Sequence, residues 1–144
     1  MLVPGAARAR YHRGMDRLNS EWRRLYAADD RGGLVDGDGR VRALVLDVGR
    51  PADWSLLSAV WRGVQSDLGW PAPGIAVNGR DGYQLWFSLR EPVPAHEAQA
   101  ALRALAQRFL PGVAPARVQT WPQVGDGRVA HGDRVPRAMP CLLY

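Results

Sequence analysis

The carboxylate best placed to do chemistry in this chain is Asp47. It closes the apolar run VRALVLD at residues 41–47 and is followed by the turn signal Gly49-Arg50-Pro51. A central strand buried on both faces is expected here, ending at Asp47, so that the last side chain emerges at a rim that water or a ligand can reach. Rigid strand ends of this kind are common places for sites; the plain alternative is that Asp47 caps the following turn. Gln84, Trp86 and Ser88 alternate along a second apolar run, YQLWFSL at 83–89. Between Gly79 and Gly82, Arg80 sits in a turn whose backbone N–H groups and guanidinium suit a phosphate, while an ordinary hairpin turn uses the same residues. Other reactive types are dispersed. A His/Cys metal site needs Cys141 together with at least two of His12, His96 and His131, and the serines lack a G-x-S-x-G elbow. Asp36 and Asp38 begin like a calcium loop, but the further ligands, including a Glu at the twelfth position, are missing, so both are assigned to turns.

A chain of 144 residues, 47% hydrophobic and 23% charged, supports one domain with a real core and excludes disordered and collagen-like classes. No window approaches the roughly 18 apolar residues that span a bilayer, and the start, MLVPGAARARYHRG, carries too short an apolar run for a secretory signal. The expectation is a cytosolic protein with no membrane partner. A single cysteine excludes an intramolecular disulfide framework. The net charge of +5 rests on nineteen basic residues, all of them arginine. Clustered arginines pair bidentately with phosphate, which points to a polyanionic partner, whereas arginines spread by composition bias carry no such meaning.

The elements that position these residues follow from periodicity. Met15, Leu18, Trp22, Leu25 and Tyr26 fall at helical spacing, giving an amphipathic helix over about 15–28. Asp53 caps a second helix with the stripe Leu56, Leu57, Val60, Trp61, Val64 and Leu68, which Gly69, Pro71 and Pro73 end. GIAVN at 74–78 and YQLWFSL form a hairpin. Pro92 and Pro94 open a helix over 95–110, and ARVQTW at 116–121 is a fourth strand. A turn at 125–127, a short strand at 128–130 and a proline-broken tail complete the chain.

Strand, helix, strand, strand, helix, strand is the order of the ferredoxin-like or RRM-like βαββαβ arrangement, an α+β fold with two helices on one face of an antiparallel sheet. An N-terminal helix and an irregular C-terminal extension are added to it. Right-handed crossovers put the first and third strands side by side, so Asp47 should neighbour Tyr83 and Gln84. Alternation sends Leu44, Leu46, Leu85, Phe87 and Leu89 to the helices, and leaves Ala43, Val45, Asp47, Gln84, Trp86 and Ser88 on the other face. There Trp86 either stacks a base or is covered by the N-terminal helix or the tail, which have apolar stripes of their own to bury.

At these residues the chain resembles the archaeo-eukaryotic primase, or primase-polymerase, superfamily. LVLDV is similar to its first motif, an apolar strand ending in Asp-x-Asp; NGRDGYQLWF to its second, a Gly-rich turn entering a strand that reads Gly-x-His-x-aromatic; and VQTWP to its third, where an acid completes the site. The similarity spans about 41–125 within a single domain of 1–144. It implies Mg²⁺ or Mn²⁺ held by the acids, a histidine on the phosphates, and nucleotides as substrates. Residue by residue only Asp47 is retained as catalytic and metal ligand. Gly49 replaces the second Asp, Gln84 the histidine and Gln119 the last acid, whereas two hard cations about 4 Å apart need several oxygen ligands. The resemblance thus implies a nucleic-acid-binding domain of DNA replication or repair, DNA favoured, without a complete two-metal site and working beside other replication or repair proteins. Arg80, Gln84, Trp86, Ser88 and Gln119 are its candidate binding residues. The alternatives are an active nucleotidyltransferase with rearranged ligands, for which Asp53, Asp126 and Asp133 are spare acids, and a ferredoxin-like interaction protein.

Overall fold

The computed structural model describes residues 16–49, 51–77, 82–125, 128–129 and 139–141. Helix α1 occupies residues 16–26, followed by β1 (Arg40–Gly49), α2 (Trp54–Ser66), β2 (Gly74–Val77), β3 (Gly82–Pro94), α3 (Ala95–Phe109) and β4 (Val118–Trp121). Three short strands close the chain, β5 (Val124–Gly125), β6 (Arg128–Val129) and β7 (Met139–Cys141). No helix among the described residues is long and apolar enough to cross a membrane.

The main sheet is antiparallel in the order β4-β1-β3-β2, the ferredoxin-like order expected from the succession of elements, and β7 extends it along the outer edge of β2. The tail therefore includes an edge strand and is not irregular throughout. β1 is flanked on both sides, which explains its composition: from Val41 to Gly49 every residue except Arg42 is buried. Leu44, Leu46, Leu85 and Phe87 join Leu57, Val60 and Val64 of α2 and Ala98, Leu102 and Leu105 of α3 in one core.

Each helix of this layer is defined by local chemistry. The Asp53 carboxylate accepts from the N–H groups of Ser55 and Leu56 and starts α2, and Gly69, at φ +66°, turns the chain away after it. Gly63 marks where α2 meets α3: a Cβ there would fall into the Phe109 ring. Arg117 ties the start of α2 to the sheet by donating to the carbonyls of Gly49 and Pro51.

Two boundaries differ from expectation. β1 does not stop at Asp47 but runs on to Gly49, because Val48 pairs with both Tyr83 and Val118 and Gly49 with Gly82. β3 continues through Pro92 and Pro94, which were expected to lie outside it. Its register against β1 passes from Ser88, opposite Ala43, to Val93, opposite Val41, so Leu89 to Pro92 bulge against Arg42. At such a bulge proline's missing N–H takes nothing from the ladder.

Candidate functional site

The topology brings the three motif segments together in one row. Asp47 of β1 lies opposite Gln84 of β3 on one side and Gln119 of β4 on the other. Directly opposed residues share a face, so Val45, Trp86 and Trp121, the next row along, stand on the same side of the sheet. The neighbours anticipated for Asp47 are therefore the observed ones. Its setting is not, since it is an interior residue of a central strand, two residues short of its end.

A line of hydrogen bonds runs along this floor. The Trp86 indole N–H donates to Gln84 Oε1 at 3.1 Å, and Gln84 Nε2 donates to Asp47 Oδ2 at 3.0 Å. Gln84 is fully buried, and Asp47 and Trp86 are 7% and 4% exposed. An indole can only donate and a carboxylate can only accept, so the amide between them, accepting through its oxygen and donating through its nitrogen, satisfies both without a proton change. Gln119 is exposed on the edge strand β4. The Trp121 indole N–H is buried with no hydrogen-bond partner among the described residues.

The face is covered by α1. Trp22 and Tyr26 pack on Trp86 with ring centroids 6.1 Å and 5.2 Å away, the latter edge to face. The end of the helix is tied down by polar contacts. Ser88 Oγ donates to the Leu25 carbonyl at 2.6 Å and Arg42 donates to the carbonyl of Ala27, so two acceptors that a helix C-terminus leaves without partners are satisfied by the sheet below. Of the two fates open to Trp86, cover is the one found. Ser88 anchors a helix.

The donor set does not fit a two-metal centre. One carboxylate is present in the row, and its Oδ2 is engaged by Gln84; amides stand at the other two positions. Asp53 is committed to capping α2, while Asp126, Asp133 and Arg80 lie outside the described residues. Among the described residues, no three His, Cys, Asp or Glu side chains gather as a metal site. Asp36 accepts from the backbone N–H groups of Asp38 and Arg40 and pairs with the Arg40 guanidinium, as a turn former does. These bonds, that from the Arg40 N–H foremost, hold its carboxyl below the usual range.

A second concavity, not anticipated, opens at the far end of β3. β2 begins at Gly74, opposite Trp86, so β3 beyond that point has no strand on its outer side among the described residues. The resulting groove has a volume of about 640 Å³ between the end of α1, β3 and the segment from Trp70 to Gly74. Arg24, Arg42 and Arg90 line it, and among the described residues no carboxylate does. Sequence cues existed: Arg42 is a charge inside an otherwise apolar strand, and Trp70 is a large aromatic set against Pro71-Ala72-Pro73. No family model matches the chain, and no curated protein matches it.

Proposed function

We propose that this protein is a non-catalytic nucleic-acid-binding domain with a primase-polymerase-like core, acting on DNA in replication or repair beside other proteins of those processes. The observation that carries the proposal is the buried line Trp86, Gln84, Asp47. The positions where the resemblance calls for a metal acid and a phosphate-binding histidine hold groups that are hydrogen-bonded to each other under a helix. The sheet has the ferredoxin-like order that the resemblance implies, and the three segments that carry the resemblance lie side by side in it, which supports the reading. A net charge of +5, carried entirely by guanidinium groups that stay protonated and pair bidentately with phosphates, supports a polyanionic partner.

Two assays on the full chain test this. Fluorescence anisotropy with labelled single-stranded DNA should show binding whose affinity falls as salt rises. A primed template with nucleotides and Mg²⁺ or Mn²⁺ should show no extension. Robust synthesis abolished by Asp47→Ala would establish the nucleotidyltransferase alternative, and absence of DNA affinity at low salt would favour a ferredoxin-like interaction protein.

A further inference from the structure

We infer that the groove beside the outer edge of β3 is the seat of single-stranded nucleic acid, a base lying against Trp70 and the adjoining phosphates meeting Arg24, Arg42 and Arg90. The inference rests on the nucleic-acid reading above and adds the place of binding, which is not the floor around Asp47.

Four features of the groove select this occupant. Its walls are preorganised: proline fixes the backbone at Pro71 and Pro73, and the Trp61 indole N–H holds the Pro73 carbonyl at 3.1 Å. Trp70 is braced edge-on by Phe87, with centroids 6.0 Å apart and planes at 82°, yet it remains 38% exposed, so an aromatic surface is presented at little ordering cost. The charge is one-sided. Arg42 donates to the carbonyls of Leu89 and Ala27, which position the guanidinium without neutralising it. The Arg90 side chain is exposed and makes no hydrogen bond or ion pair among the described residues, while Arg24, also exposed, pairs with Glu21. The size, about 640 Å³, lies within the usual range of small-ligand sites and accommodates a nucleotide.

A lone phosphate would leave the exposed face of Trp70 unused, and an apolar ligand would leave Arg42 and Arg90 without counter-charge. A base joined to a phosphodiester uses both, by the pairing of aromatic stacking with cationic tracking that single-strand binders employ. An acidic extended peptide is the competing occupant, since β3 has an open outer edge there.

The test uses the full chain and a fluorescein-labelled oligothymidylate of roughly ten nucleotides. Trp70→Ala should weaken binding about tenfold or more, with Trp70→Phe restoring most of the loss. Arg90→Glu, at an exposed position with no role in packing, should weaken binding and lower the slope of log affinity against log salt by about 1 or more. Wild-type binding left unchanged by both Trp70→Ala and Arg90→Glu overturns the groove and leaves the nucleic-acid reading standing. Failure of the wild type to bind at low salt overturns that reading itself. Equal competition by a polyglutamate peptide overturns nucleic acid as the occupant.

Discussion

Gln84 lies between a group that only donates and a group that only accepts, so its role follows from its own chemistry. Substituting Gln84→Leu keeps the bulk but removes a partner from the Trp86 indole and from Asp47 Oδ2. Losing a buried donor's partner and a carboxylate's hydrogen bond should cost about 2–3 kcal/mol, read as a lower midpoint in urea unfolding with an unchanged slope. Gln84→Glu should be worse at neutral pH, because a second carboxylate would face Asp47 across 3 Å or so of buried space. Repulsion raises the folded-state pKa of such a pair, so the stability lost relative to wild type should shrink as pH falls and the two come to share a proton. A gap that widens on acidification would contradict the hydrogen-bonded geometry. The three-way replacement at Gly49, Gln84 and Gln119 was legible in the sequence, because it needs only the motif positions. The buried line itself was not, since whether α1 lies on that face depends on packing that helical periodicity does not report.

For the elements, the expectation best met was strand order, because connection rules leave few arrangements for this succession of strands and helices, and the pairing of Asp47 with Gln84 followed from it. Start signals were equally readable: Asp53 was expected to cap α2 and does. Its carboxyl is held below the ordinary value of 3.8, chiefly by the Ser55 hydroxyl and then by the N–H groups of Leu56 and Ser55 and the charge of Arg117. A carboxyl with a depressed folded-state value stabilises above its unfolded value and loses that contribution as pH falls through the depressed one. Asp53→Ala should accordingly lower the melting temperature at pH 7 and at pH 5 by similar amounts, with the difference from wild type closing below pH 3.8. Pro92 and Pro94 lead into α3 as expected, Pro94 being its N-cap residue, but the strand expected to stop at Leu89 also runs through them; a bulge against Arg42 accommodates the first, and Pro94 pairs with Arg40. The approach of α2 to α3 gives a further check. Gly63→Ala gains helix propensity of up to about 1 kcal/mol but drives a methyl into Phe109, an overpacking cost of about 1–3 kcal/mol. A net loss of stability is expected in thermal unfolding, and the effect of Gly63→Ala should reverse in a Phe109→Ala background, where only the propensity gain remains.

At the scale of the whole molecule, a ferredoxin-like sheet has one face filled by two helices and leaves the other for a ligand or for cover, and here α1 provides cover. Covering the floor moves the exposed concavity to the end of β3, where residues from four separate segments, Arg24, Arg42, Trp70 and Arg90, come within one groove. No spacing in the chain announces that convergence, because the four are brought together by the short length of β2 and the path of the loop before it. On the proposed reading, single-strand binding should weaken as salt rises, with a slope set by the number of phosphates the arginines meet. The central claim is narrower: Asp47 holds a buried polar line together and is not the anchor of a metal centre. It is tested most directly by titrating Mn²⁺ into the full chain and following water-proton relaxation, for wild type and for Asp47→Asn. No stoichiometric Mn²⁺ site and the same response from both proteins are expected; one-to-one binding in the wild type that disappears in Asp47→Asn would contradict this role for Asp47.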